Sequence, residues 1–330
     1  MSPVPSVAVK RLGTRVFRQD FTGVAIATIT LVIVVGLRDS TFLQFNQLAS
    51  VLNQAAVVGV LACAMAYLLA MRELDLSVGS VLGLSCMVGA LLMRAGVNPW
   101  LAAVGCVLVG ALLGLVNALL IDLLGLPSIV ATLATLSTFR GLTYRLGDSK
   151  QVLGMPLSDP FSKFFGWKLM GIGVNFWAMI ILAVVLVVVL KSTPFGYRIR
   201  SIGSNPEAAL FTGIPVRGVR FQVFIVVGAI GGLAGALTLG YFGVADPNSG
   251  SGYELQAIAA AVIGGTALRG GRASITGAVL GAVLLQVVGV ALAYFDIDIN
   301  WNAFTTGVVI LIAVGLASLL TRRSSRRASP

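Results

Sequence analysis

Long apolar runs recur from residue 22 onward, and short segments carrying Arg, Lys, Asp, Asn and Pro separate them. A helix needs about 20 apolar residues to cross roughly 30 Å of hydrocarbon at 1.5 Å per residue. On that rule the runs predict crossings at 22–37, 48–71, 78–95, 99–125, 127–143, 174–191, 221–242, 256–268, 274–294 and 302–320. The expected fold is therefore an all-α, polytopic membrane protein of about ten transmembrane helices, some short or broken. An even number of crossings places both termini on one side, and no soluble domain fits between the spans.

Two runs are irregular. PSIVATLATLSTFRGL, 127–142, is short and carries Thr132, Thr135, Ser137 and Thr138, while LQAIAAAVIGGTALRGG, 255–271, runs into an Arg-Gly break. Neither makes a comfortable full crossing. Interrupted helices are tolerated at membrane depth where they line a cavity or pack within protein, and in transporters such pairs point to the substrate path. Both segments end in Arg-Gly, on opposite sides in this threading, which hints at an inverted repeat.

Composition agrees with the pattern. Of 330 residues, 57% are hydrophobic and 11% charged, with a mean hydropathy of +0.97, against about 25% charged in a soluble domain. The net charge of +11 is unevenly placed. Threading with the N-terminus inside puts 16 of the 23 basic and 5 of the 12 acidic residues on the cytoplasmic face. The whole excess thus obeys the positive-inside rule, and a nucleic-acid partner is not expected, because no basic stripe with stacking aromatics is present. The chain divides into a basic cytoplasmic N-terminus, 1–21, one transmembrane domain, 22–320, and a basic cytoplasmic tail, 321–330.

Catalytic and metal chemistry find little support. The chain has no His, and Cys63, Cys86 and Cys106 are scattered through apolar runs, so neither a common zinc site nor a disulfide framework can be assembled. An intramembrane enzyme would need paired carboxylates or an activated nucleophile.

One charged island stands out, GSNPEAALFTGIPVRG, Gly203 to Gly218. It lies in the longest cytoplasmic connection, 192–220. Ser204 or Asn205 reads as an N-cap, Pro206 as the first helical position, Glu207 as a first-turn acid and Gly213 as the stop. Ile214 to Val216 then lead into a second short helical stretch. Ala208, Ala209 and Phe211 give the helix an apolar patch facing away from the bilayer, and such a patch needs a partner.

EAALFTG resembles the Glu-Ala-Ala, three residues, Gly signature of the cytoplasmic coupling loop in permease subunits of ATP-binding-cassette importers. LDLSVGSVLGL (74–84), PSIVATLATLSTFRGL (127–142), FGYRIRSIGSNPEAALFTGI (195–214) and GYELQAIAAAVIGGTALRGGRASITGAVLGAVLL (252–285) are similar, in that order, to the ribose, xylose and galactose branch of the family. One departure is Met71-Arg72-Glu73, where family members usually carry a small residue and Gly.

The resemblance implies a non-enzymatic transport subunit in a bacterial cytoplasmic (inner) membrane, passing a monosaccharide or similar solute. It implies three protein partners: a separate ATPase subunit, a substrate-binding protein, and a second permease copy or a sister permease. The chain has no Gly-x4-Gly-Lys-Ser/Thr pattern, so ATP and Mg belong to the partner and no cofactor is expected here. The coupling residues would be Asn205, Pro206, Glu207, Ala208, Ala209, Phe211 and Gly213.

A neutral, hydroxyl-rich solute calls for uncharged hydrogen-bonding side chains. Asn53, Gln54, Asn117, Thr132, Thr135, Ser137 and Gln286 are the intramembrane candidates for its path. Asp75 and Ser77 either cap the third helix or line the cytoplasmic gate. Outer loops around 148–159 and 246–253 are the expected docking surface for the binding protein, with Arg145, Lys150, Asp246 and Glu254 able to pair across it.

The alternatives are a branched-chain amino acid permease and a proton-coupled carrier. The former would want helix N-termini or a buried ion pair for the substrate's charges; the latter wants an ionisable group inside the bundle, for which Asp122 is the candidate.

Overall fold

The computed structural model describes residues 22–301 together with 304, 305, 307, 308 and 311. Both basic tails, and nearly all of the expected crossing at 302–320, lie outside the described residues. The described chain is helical, with four two-residue strands. In order these elements are α1 (Thr22–Arg38), α2 (Phe45–Ala70), α3 (Val78–Arg94), α4 (Pro99–Leu124), α5 (Ser128–Leu146), β1 (Val152–Leu153), α6 (Pro160–Gly166), β2 (Lys168–Leu169), β3 (Ile172–Gly173), α7 (Val174–Ser192), α8 (Pro194–Ser204), α9 (Pro206–Phe211), α10 (Val216–Phe242), β4 (Val244–Ala245), α11 (Tyr253–Ile263) and α12 (Ile275–Tyr294). Helices α2, α4, α7, α10 and α12 are long and apolar enough to cross a membrane, while α1, α3 and α11 are shorter apolar helices.

Helix α2 is the core. From Ala55 to Ala70 nearly every residue is buried, because Ala and Gly at many positions let α7, α10, α11 and α12 close around it. Within this buried stretch the Tyr67 hydroxyl donates to the Leu186 carbonyl of α7 at 2.6 Å. Helix α4 shows the reverse of a soluble helix. Its small residues Ala102, Cys106, Gly110 and Gly114 point inward, and Leu101, Leu108, Leu112 and Leu123 are exposed. An outward leucine stripe suits hydrocarbon, and small inward residues suit close helix packing.

That packing is tightest between α4 and α10, which run antiparallel. A β-carbon placed at Gly110 would collide with the Gly228 carbonyl, one at Gly114 with the Phe224 carbonyl, and one at Gly232 with the Cys106 carbonyl. The two backbones touch, as Gly-x3-Gly spacing in both helices permits.

The connections sort into two ends. At one end, which we call the α9 end, the Gly271 amide donates to the Ala70 carbonyl at 2.8 Å, so the turn before α12 meets the end of α2. At the opposite end β1 pairs antiparallel with β4, Val152 opposite Ala245, and α6 stacks Phe161 on Trp100 at the start of α4 with ring centroids 4.8 Å apart.

Two expectations need correction. The run at 127–143 is longer than expected: α5 is one unbroken helix of 19 residues, in which Thr132, Thr138 and Thr143 return their hydroxyls to carbonyls four residues back, though it is not among the described helices apolar enough to cross a membrane. Only α11, with 11 residues ending at Gly264, is short. The stretch after Pro215 is likewise no separate short helix, since Val216 opens α10 and the helix continues for 27 residues.

Candidate functional site

The charged island at 203–218 forms the capped helix its sequence predicts. Asn205 is the N-cap of α9, its side-chain oxygen accepting from the Ala208 amide at 3.0 Å, and Pro206 occupies the first turn. Gly213 follows with φ of +80°, a left-handed turn that glycine adopts without strain. The apolar patch has a different membership. Ala209 turns inward and is 3% exposed, whereas Leu210 and Phe211 are 63% and 90% exposed. Helical spacing explains the exchange, because Ala209 lies on the face that meets the bundle. Unforeseen in the sequence is α8, an amphipathic helix whose cap Thr193 accepts from the Gly196 amide at 3.2 Å. Between α8 and α9 lies a cleft of about 490 Å³, lined by Tyr197, Arg200, Ser204, Asn205, Ala208 and Gly271.

Above this end, the linker between α2 and α3 dips into the protein. Asp75 is fully buried, and one of its oxygens accepts from both the Ser77 amide at 2.7 Å and the Ser77 hydroxyl at 2.6 Å. Asp75 thus closes a turn onto Ser77 two residues on, while Ser77 itself occupies the N-cap of α3. Asn117 of α4 donates its amide to the Ser77 hydroxyl at 2.8 Å and to the second Asp75 oxygen at 3.4 Å. Thr135 of α5 then donates to the Asn117 oxygen at 2.7 Å. Thr132 and Ser128 accept from the Leu76 and Leu74 amides at 3.1 and 3.3 Å. Asn117 lies seven residues before the end of α4, about 10 Å into the bundle. Every polar group named here has a partner, as buried polar groups require.

The expected path residues therefore divide. Asn117, Thr132 and Thr135 join Asp75 and Ser77 in this network. Gln54 belongs elsewhere, an exposed side chain whose oxygen accepts from Gln286 of α12 at 3.1 Å. Asn53 is half-buried against Gly173, and Ser137 is exposed on the outer face of α5 beside Leu133, Ala134, Thr138 and Gly141. The seven candidates thus do not share one hydrogen-bond network.

Ion pairs mark the α9 end. Asp122 pairs with Arg217 at 3.3 Å, and Glu73 with Arg220 at 2.7 Å. Arg72 donates to the carbonyls of Gly203 and Ser204 at 2.6 and 2.7 Å. Sequence reasoning missed these long-range partners. Their only advance signal was the unusual Arg72-Glu73 pair.

At the opposite end, Arg145 pairs with Asp148 at 3.1 Å, and Asp246 accepts from Gln151 at 2.7 Å. That bond, with a second from the Asn248 amide, holds the Asp246 carboxyl below its ordinary value. Glu254 does not reach this loop surface. It is half-buried beside Gly79, accepting from the Gly252 amide at 3.2 Å. Arg140 of α5 grips the descending loop, donating to the Pro247 and Ser249 carbonyls at 2.8 and 2.7 Å.

A bundle with outward leucines, a buried polar network and helices long and apolar enough to cross a membrane fits a multi-pass membrane protein. Comparison with known proteins gives the family. Residues 47–314 match the family model described as branched-chain amino acid transport system / permease component, and the chain belongs to this family of transporter permeases. The ribose import permease protein of Bacillus subtilis is 36% identical, covering 89% of this chain and 90% of the relative. The D-allose transport system permease protein of Escherichia coli is 34% identical over 90% of this chain and 91% of the relative. The L-arabinose ABC transporter permease protein of Azospirillum brasilense is 31% identical over 93% and 89%. Among solved structures, PsaBC from Streptococcus pneumoniae in complex with Fab shares the fold, with a TM-score of 0.51 over 84% of this chain and 95% of that chain at 14% identity.

Proposed function

We propose that this chain is the membrane permease of an ATP-driven importer for a monosaccharide or a similar neutral solute, and that α9 is the helix through which a separate ATPase subunit acts on it. The observation that carries this reading is the exposed Phe211, on a capped six-residue helix, which no described part of the chain covers. An exposed aromatic on a preformed helix is a typical anchor for a partner groove. The relatives named for ribose, allose and arabinose supply the solute class. The described polar network around Asn117 is uncharged apart from Asp75, which suits a sugar better than a zwitterionic amino acid.

In this reading residues 22–320 form one transmembrane domain of about ten helices in the bacterial inner membrane, with 192–220 as the cytoplasmic coupling loop. Both termini are cytoplasmic, and the tails at 1–21 and 321–330 are basic anchors. A binding protein delivers the solute to the opposite end, around 148–159 and 246–253. The path runs along the outer face of α5, where Ser137 and Thr138 would meet a second copy or a sister permease across a pseudo-two-fold axis. ATP and Mg sit on the partner, and the chain itself needs no cofactor. Because a passive path only equalises concentrations, direction comes from ATP-driven switching between two states of the bundle.

The test is reconstitution. Wild type, Phe211→Ala, Glu207→Lys and Gly213→Trp are co-purified with the candidate ATPase, placed in proteoliposomes with the binding protein, and assayed for ATP turnover and uptake of labelled ribose, allose and arabinose. Loss of association and turnover in the variants, with an intact fold, supports the reading. An ATPase indifferent to the wild-type chain overturns it.

A further inference from the structure

We propose that Arg72 and Glu73 act as a two-ended strap that carries movement of α9 to the buried Asp75 turn, an inference that rests on α9 being the ATPase-docking helix.

The entrance to α9 is held by Arg72. Its guanidinium reaches the carbonyls of Gly203 and Ser204 at 2.6 and 2.7 Å, the last two residues of α8. Terminal helix carbonyls lack intrahelical donors, and the C-terminal end of the helix dipole favours a cation. The next residue, Asn205, is the N-cap of α9, so Arg72 grips the joint between the two helices. Its backbone is at φ of +66°, a region that non-glycine residues occupy only where the surroundings impose it.

The exit from α9 is held by Glu73. Its carboxylate meets Arg220 at 2.7 Å, with side-chain exposures of 14% and 27%. Arg220 is the fifth residue of α10, and the carboxylate gives this largely buried cation its partner. Only Thr212 to Pro215 separate α9 from α10. A pair this buried is little screened by salt, unlike an exposed surface bridge.

Both flanks of α9 therefore converge on two adjacent residues. Two positions further along the chain, Asp75 fixes Ser77 and Asn117. A push on α9 displaces the Gly203–Ser204 carbonyls and Arg220 together, and the intervening Leu74 leaves little slack before Asp75. Arg72 and Glu73 are positioning residues: they touch neither ATP nor the solute.

The experiment uses the reconstituted permease with its ATPase and binding protein, with radiolabelled ribose as the solute. It reads three quantities: ATPase association, thermal midpoint, and ATP hydrolysed per ribose imported. Arg72→Gln and Glu73→Gln are expected to keep ATPase association while hydrolysis per ribose rises about tenfold, within the range of typical couplings between sites. Arg72→Lys keeps the charge without the forked geometry, and its ratio is expected to lie between wild type and Arg72→Gln. The exchange Glu73→Arg with Arg220→Glu is expected to recover most of the coupling lost in Glu73→Gln.

A strap that merely stabilises the fold would lower the midpoint and leave the ratio unchanged. Intact association with wild-type ratios in all variants overturns the strap alone. An ATPase that does not associate with the wild-type chain overturns the docking role of α9 and the strap with it.

Discussion

Thr135 and Asn117 lock their side chains together across α5 and α4, the hydroxyl of one donating to the amide oxygen of the other at 2.7 Å. This contact sets the orientation of the amide, so that its nitrogen faces the Ser77 hydroxyl and Asp75. Thr135→Val keeps the shape and leaves a buried oxygen without its donor, an expected cost of about 1–3 kcal/mol. The thermal midpoint in detergent should fall accordingly. Thr135→Ser should restore most of the loss, and Asn117→Leu added to Thr135→Val should cost less than the sum of the single changes.

The seam of α4 and α10 predicts a contrast within one helix. Gly228→Ala places a methyl against the Gly110 carbonyl, and overpacking of this kind costs about 1–3 kcal/mol or more. At Gly218, also in α10, an added β-carbon would meet only the Pro215 side chain, at 3.9 Å, among the described residues apart from its own helix backbone and chain neighbours, and alanine there should be neutral or stabilising by up to about 1 kcal/mol. Thermal unfolding of the two variants checks the contrast, and equal destabilisation would refute the seam.

Arg140 organises the loop that leads into α11. Arg140→Lys replaces a planar fork with a single ammonium, so at least one of the Pro247 and Ser249 carbonyls should lose its donor. Hydrogen exchange of the amides at 248–254 is expected to quicken by about tenfold or more, consistent with the worth of charge-assisted bonds. Exchange in α2 should not change.

Asp122 provides a test of energy source. It lies at the end of α4 against Arg217, which is 81% exposed, and an exposed pair of this kind contributes about 0–1 kcal/mol. Asp122→Asn is expected to leave sugar uptake near wild type, with labelled ribose, allose and arabinose as probes, and a protonophore should leave ATP-driven uptake unchanged. Abolition of uptake by either would instead favour the proton-coupled carrier.

Much of the helical layout could be read along the chain because a crossing is a local property of composition. The expected starts of α3, α4, α7 and α12 fall within a residue of those found, and Asn205, Pro206 and Gly213 play their local roles. Properties that depend on distant partners could not be read. Asp75 looked like a cap near a surface, yet its depth is set by Asn117, 42 residues away in sequence. The threonines of 127–143 suggested a short, irregular span, but Thr132, Thr138 and Thr143 satisfy their hydroxyls on carbonyls of their own helix. The Thr193-Pro194 start of α8 was an unread local signal, and so were the glycine spacings of α4 and α10, since Gly-x3-Gly repeated in two apolar helices anticipates their contact.

The glycine contacts between α4 and α10 also constrain how this protein can change shape. Backbones that touch at successive turns cannot slide past one another by a turn without carbonyls colliding with α-carbons. The two helices consequently behave as a single beam. One end of that beam starts four residues after α9, and its flank carries Asn117, so a tilt at the α9 end is delivered to the buried polar turn as a swing of a rigid arm about the bundle axis.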